Sequence, residues 1–169
     1  MERRAAASLK HNGRTLFGYA ARFGEPTPIE GFTEIIQPGA FSRSLAGPAA
    51  ASIRAVYEHK DAALLGRVGA GTLRLTEDDV GLAFELDLPD TTVGRDVAEL
   101  VKRGDVAGCS FGFVSGSERW EGATRHLLDV DLHEVTITAS PAYPSTTVQV
   151  RSKEPRGLRL ARLYLECLQ

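Results

Sequence analysis

Residues 108–113, with the sequence GCSFGF, alternate small and apolar side chains, and this pattern restricts the fold more than any other in the chain. Successive side chains of a β-strand point to opposite faces. Cys109, Phe111 and Phe113 would then face a core, whereas Ser110 shares the other face with two glycines. The pattern predicts an anchored strand that exposes one hydroxyl, as a nucleophilic serine requires when a base can reach it. The alternative is an ordinary strand whose glycines ease a bend or close packing.

Other stretches of the chain also alternate or are rich in β-forming residues, which predicts about seven strands. They are Thr15–Phe23, Phe32–Ile36, Ile53–His59, a hairpin of Thr72–Leu75 with Gly81–Leu88, Val106–Val114, Leu127–Ala139 and Thr147–Val150. Residues 115–124 are predicted to form a polar loop. Many short strands and few helices predict a mainly antiparallel barrel or sandwich.

Two helical patterns flank these strands. Residues 38–45 suit a short helix or turn, and Thr92 suits the cap of a helix over residues 93–103 that Gly104 ends. The predicted organisation is a flexible segment over residues 1–14, a domain over 15–150, and a linker with a C-terminal amphipathic helix over 151–169. The apolar arc of that last helix is too wide for a solvated tail. It predicts burial on the parent domain or in a homodimer or partner groove.

Composition excludes several classes of function. The chain has 169 residues and a net charge of −2, so broad electrostatic binding to nucleic acid or to an anionic membrane is not expected. No apolar run is long enough to span a bilayer. The N-terminus begins like a signal peptide but lacks its apolar region, which favours a cytoplasmic protein. The two cysteines have neither a disulfide framework nor a zinc spacing, and we expect no metal or cofactor.

A serine nucleophile needs a base, and the chain has four histidines. His59 is predicted at the end of a strand, where a side chain is both anchored and reachable. The alternative is a structural histidine. His11 lies in a polar N-terminal stretch and His126 at the end of the predicted loop, and we expect solvent to surround both.

His133 and Glu134 are neighbours on a predicted strand, so only one of them can point towards a given site. Alternation places Glu134 with Leu132 and Thr136 and favours it slightly as the half-buried group. A carboxylate there would orient a base histidine and stabilise its charged form. The alternative for Glu134 is a cross-strand ion pair.

Several blocks of the sequence, in order, resemble the prohead (capsid-maturation) serine proteases of tailed bacteriophages. Each block is weak alone, but their order and spacing are specific, and the resemblance covers residues 15–150. The blocks are GYAARF at 18–23, EIIQPGAF at 34–41, YEH at 57–59, LGR at 65–67, CSFGF at 109–113, LHEVT at 132–136 and PAYP at 141–144.

The resemblance implies a fold and a set of catalytic residues. The family is similar to herpesvirus assemblins, which implies a closed antiparallel β-barrel with flanking helices. Ser110 matches the family nucleophile, His59 the general base and Glu134 the acidic third member. Assemblins use a histidine in that third role, so His133 is a rival. For the oxyanion, backbone amides near Phe111 or the guanidinium of Arg67 are candidates.

The resemblance also implies a substrate and a place of action. The substrate would be the scaffold part of the major capsid protein, together with the protease itself, cut inside an assembling procapsid in the bacterial cytoplasm. The source would be a phage, a prophage or a phage-derived particle such as a gene transfer agent. Two other classes stay open, an inactive scaffold or interaction module and an esterase with the same triad. The lack of a Gly-x-Ser-x-Gly elbow disfavours an α/β-hydrolase.

Overall fold

The computed structural model of the chain describes residues 14–142 and 146–151. The described part is mainly β, which confirms the predicted class. Its elements are β1 (Thr15–Arg22), β2 (Thr27–Ile29), β3 (Phe32–Ile36), α1 (Ser42–Ala46), β4 (Arg54–Tyr57), β5 (Lys60–Arg67), β6 (Leu73–Glu77), β7 (Gly81–Asp87), α2 (Thr92–Arg103), β8 (Gly108–Glu121), β9 (Thr124–Thr138) and β10 (Thr147–Arg151), with short 3-10 turns at Pro48–Ser52 and Val68–Ala70. The predicted N-terminal segment and the C-terminal helix lie outside the described residues, apart from Arg14 and Arg151.

The strands form two sheets. The first has the order β10-β1-β7-β6 and is antiparallel throughout. The second is built around β9, which pairs with β8 along one edge. On its other edge β9 pairs in parallel with β3 near its start and with β4 near its end. Within the described residues neither sheet closes on itself, so the closed barrel stays a prediction.

Helix α1 occupies the gap that β3 and β4 leave on the edge of β9. There the Val130 N–H donates to the Ala40 carbonyl over 2.9 Å, and the Leu132 N–H donates to Ser44 Oγ over 2.9 Å. Buried backbone N–H groups need such acceptors. The short helix therefore replaces a strand partner along this part of β9.

The core lies between the sheets and consists of aromatic and aliphatic side chains. Phe41, at the start of α1, is fully buried and meets the ring of Phe111 edge-on at 5.4 Å. Phe111 in turn stacks on Phe113 at 5.1 Å. Helix α2 contributes Val97 and Val101 to the same core, as its predicted apolar stripe requires. These contacts anchor β8, the strand that carries Ser110.

Several predicted boundaries were wrong for local reasons. The expected polar loop at 115–124 is strand, because β8 runs to Glu121 and β9 starts at Thr124 after Gly122, which has φ +60°. The cap of α2 is Thr91, whose hydroxyl accepts the Gly94 N–H, and not Thr92. Strands β2 and β5 were not predicted, since β2 is short and contains a proline and half of the residues of β5 are exposed.

Candidate active site

Ser110 lies on β8, but it is not exposed as its glycine neighbours predicted. Only 3% of the residue is accessible, and its Oγ accepts the Ala142 N–H over 3.1 Å. A Cβ added to Gly108 would meet Pro141 Cγ at 2.4 Å. The glycine therefore allows the chain after β9 to lie close to the strand. That close approach covers Ser110 instead of leaving it open.

The opposite face of β8 behaves as predicted. Cys109 is fully buried and Phe111 nearly so. Burial raises the pKa of the Cys109 thiol well above its ordinary range, so this side chain is a small core residue and not a second nucleophile. The strand that carries Ser110 is held by the core along this side.

A β-bulge interrupts β9 at the 133–134 pair. The register of β8 with β9 steps from Gly112↔Glu134 to Phe113↔Leu132, so His133 has no partner on β8. Bulges re-aim side chains and are frequent near active sites. Leu132 joins the core with Phe113, and Glu134 turns to the face of Gly112. The predicted shared face of Leu132 and Glu134 was wrong because simple alternation cannot include the extra residue.

Glu134 is half-buried and surrounded by donors. His59 Nδ1 lies 3.0 Å and Thr136 Oγ1 3.2 Å from its Oε1, and Arg54 Nη2 lies 3.4 Å from its Oε2. Burial raises the pKa of this carboxyl, but the hydrogen bonds from His59 and Thr136 and the charges of His59 and Arg54 lower it, and the net shift is downward. Glu134 is therefore held as a carboxylate, an acceptor that fits an imidazole N–H.

His59 does not end a strand as predicted; it lies in the turn between β4 and β5, where Tyr57 pairs with Lys60. Because Glu134 is ionised and can only accept, the proton of the neutral imidazole belongs on Nδ1. Nε2 then remains as the basic nitrogen. The side chain is 52% exposed, so solvent and a substrate can reach it.

Thr136 is a site residue that sequence reasoning missed. It is fully buried, its Oγ1 lies 3.2 Å from His59 Nδ1 and 3.2 Å from Glu134 Oε1, and it pairs with Ser110 across β8 and β9. Directly paired residues of neighbouring strands have their side chains close together on one face. Thr136 therefore lies between the serine and the histidine. The spacing Glu134-x-Thr136 on a strand was the signal that could have indicated it.

The structure brings His59 and Glu134 into direct contact and places Ser110 on the adjacent strand. Within the described residues no hydrogen bond joins Ser110 to His59. Strand β9 separates them, with β8 on one edge and β4, next to the His59 turn, on the other. Catalytic hydrogen bonds are often long in a free enzyme and shorten in the complex with substrate.

The other described histidines make no hydrogen bond to the Glu134 carboxylate. His133 is exposed and has no hydrogen bond or ion pair among the described residues. His126 is not solvated as predicted, because its Nδ1 lies 3.1 Å from Gln37 Nε2 and its side chain is only 12% exposed. His11 lies outside the described residues. The part of the chain that the structure describes holds no cluster of metal-ligating side chains, and no helix in it is long and apolar enough to cross a membrane.

A serine, a histidine and a carboxylate around one strand of a β-protein are the groups that a serine peptidase uses. A sequence model of the caudovirus prohead serine protease family matches residues 1–157 of the chain. The chain belongs to this family, which makes it a serine protease of phage capsid maturation. Comparisons with curated proteins and with solved structures gave no match.

Proposed function

We propose that Ser110, His59 and Glu134 form the catalytic triad of an endopeptidase that cleaves the scaffold part of the major capsid protein, and its own chain, inside the procapsid. One observation above all supports this proposal. The His59 Nδ1–Glu134 Oε1 contact of 3.0 Å orients an imidazole over the face of β9 that Ser110 shares. A carboxylate that holds a histidine in one tautomer is the supporting half of a serine-protease triad.

The mechanism follows from the proton positions. His59 Nε2 takes the proton of Ser110 as Oγ attacks the scissile carbonyl, and Glu134 stabilises the imidazolium that forms. The proton then passes to the leaving amine, and water repeats the attack on the acyl-enzyme. A hydroxyl oxygen has two lone pairs, so Oγ can accept the Ala142 N–H and still donate its own proton to His59. That N–H also stabilises the negative charge that develops on Oγ.

Glu134 takes the third role in this proposal because its Oε1 lies 3.0 Å from His59 Nδ1, whereas His133 makes no hydrogen bond to His59 among the described residues. The closed assemblin-like barrel and the homodimer belong to the same proposal. In an assemblin-like barrel the edges of the two sheets would meet around the core that Phe41 and Phe111 occupy.

The proposal is tested with the full-length protein, procapsids that contain uncleaved capsid protein, and a fluorophosphonate probe. We expect the probe to label Ser110 and the capsid precursor to be cut. Ser110→Ala should abolish both, whereas Ser117→Ala, an exposed serine on the same strand, should retain both. Ser110→Ala also removes the acceptor of the Ala142 N–H, so it should cost about 1 kcal/mol of stability and still fold.

The competing function is an inactive scaffold or interaction module. The covered hydroxyl of Ser110 and its missing hydrogen bond to His59 favour that alternative within the described residues. A wild-type protein that is not labelled, or capsid maturation that proceeds normally with Ser110→Ala, would establish it and end the protease proposal for this site.

A further inference from the structure

The turn that carries His59 has an unfavourable backbone. Glu58 and His59 have φ values of +51° and +54°, in the left-handed region that side chains other than glycine rarely adopt. A two-residue hairpin turn of this kind needs positive φ at both positions and favours Asn-Gly. Glu58 and His59 lack the intrinsic preference of asparagine and glycine for positive φ, so other contacts must hold the turn. Strained residues persist only where their surroundings fix them.

Three hydrogen bonds fix the turn, and all of them join Glu58 to the end of β9 or to the residue that follows it. The Glu58 N–H donates to the Ile137 carbonyl over 3.1 Å. Glu58 Oε1 accepts the Ala139 N–H over 2.9 Å, and Oε2 accepts the Thr138 hydroxyl over 3.1 Å. Both carboxylate oxygens therefore accept hydrogen bonds at the end of the strand that also carries Glu134 and Thr136.

We propose that Glu58 is the positioning residue of His59. By fastening the strained turn to β9, it holds the imidazole where Nδ1 meets Glu134 and Thr136. The proposal rests on the proposed role of His59 as general base. Among the described residues Glu58 makes no hydrogen bond to the imidazole or to Ser110, so its effect on the reaction passes through the backbone of the turn.

Three substitutions in the full-length protein separate the carboxylate from the backbone strain. Glu58→Gln keeps an oxygen for the Ala139 N–H and an amide for the Thr138 hydroxyl. Glu58→Ala removes these two bonds but keeps the strain at position 58, and Glu58→Gly removes the bonds and the strain at that position. We expect Glu58→Ala and Glu58→Gly to lower kcat by about tenfold to a hundredfold with little change in KM, because the base is misplaced. Glu58→Gln should retain most of the activity, as should Lys60→Ala, an exposed neighbour on the turn.

A second measurement does not depend on proteolysis. In Ser110→Ala protein with ¹⁵N-labelled histidine, NMR should show His59 protonated on Nδ1, as its bond to Glu134 requires. Glu58→Ala and Glu58→Gly should convert this signal to a mixture of tautomers, and Glu58→Gln should preserve it. An inactive wild-type protein with this tautomer pattern would end the protease proposal but leave the positioning role intact.

The opposite results overturn the inference. Full activity and an unchanged His59 tautomer in Glu58→Gly would mean that the turn keeps its position without the hydrogen bonds of the Glu58 carboxylate to Thr138 and Ala139. If Glu58→Ala does not fold, the pair Thr138→Val and Thr138→Ser tests the same bond from β9. Equal activity in these two variants would then exclude the role, whereas a loss in Thr138→Val that Thr138→Ser restores would support it.

Discussion

Gly112 lies directly opposite Glu134 across β8 and β9, and a Cβ on Gly112 would come within 2.8 Å of Glu134 Cγ. Real side chains do not approach so closely, so one of the two must move. Glu134 is held by His59, Thr136 and Arg54, and its displacement would break those contacts. The absence of a side chain at position 112 is thus a condition for the geometry around Glu134.

Gly112→Ala should therefore lower kcat by at least about tenfold, because the carboxylate no longer orients His59. The fold should survive, since the displaced atoms belong to the Glu134 side chain and not to the backbone. Val114→Ala is the matched control, on the same face of β8 and 58% exposed, and its kcat should stay near that of the wild type. Equal kcat values for Gly112→Ala and Val114→Ala would contradict the prediction that the position of the Glu134 carboxylate matters for catalysis.

Glu134 and His133 can be distinguished by paired substitutions. Glu134→Gln should cost much of the activity, about a hundredfold to ten-thousandfold by comparison with other triads, because the amide does not stabilise an imidazolium. His133→Gln should have little effect, since His133 is exposed and has no partner on β8. Cleavage rates of capsid precursor measure both. The reverse order of effects would indicate a Ser-His-His site.

The elements that could be predicted are those with a strong local pattern. The alternation around Ser110 predicted β8 and its core face, and the stripe of Val97 and Val101 predicted α2. The parallel pairing of β9 with β3 and β4 could not be predicted, because parallel partners far apart in sequence leave no local signal.

Sequence reasoning proposed the residues of the candidate site but could not predict how they are arranged. Resemblance pointed to Ser110, His59 and Glu134, and the alternation rule favoured Glu134 for a reason that the bulge at His133 invalidates. The burial of Ser110 was missed, because the contact of Gly108 with Pro141 joins segments far apart in the chain. A glycine beside a serine indicates either exposure or close approach, and only the tertiary structure distinguishes them.

The lowered pKa of Glu134 has a consequence for stability at different pH. A carboxyl with a lower pKa in the folded state stabilises the fold above its unfolded pKa, about 4.3 for glutamate. This stabilisation is lost as the pH falls through the lower folded value. Urea midpoints of wild type and Glu134→Gln should thus differ by a constant amount near neutral pH and converge below about pH 4. A difference that grows on acidification would mean that Glu134 is not held as a carboxylate.

Thr136 allows the sharpest test of the arrangement around His59. Thr136→Val keeps the shape but removes the hydroxyl that lies 3.2 Å from both His59 Nδ1 and Glu134 Oε1. Its loss leaves the half-buried carboxylate with one donor fewer, which should cost about 1–3 kcal/mol of stability. We expect kcat to fall about tenfold as the imidazole loses a fixed neighbour.

Thr136→Ser restores the hydroxyl and removes only a buried methyl group. It should therefore recover most of kcat while remaining less stable than the wild type, because the lost methyl leaves a small cavity. Measured together, kcat and the melting temperature separate the two roles of this residue. If Thr136→Val and Thr136→Ser reduce kcat equally, the methyl group and its packing matter, and the hydroxyl does not hold the histidine.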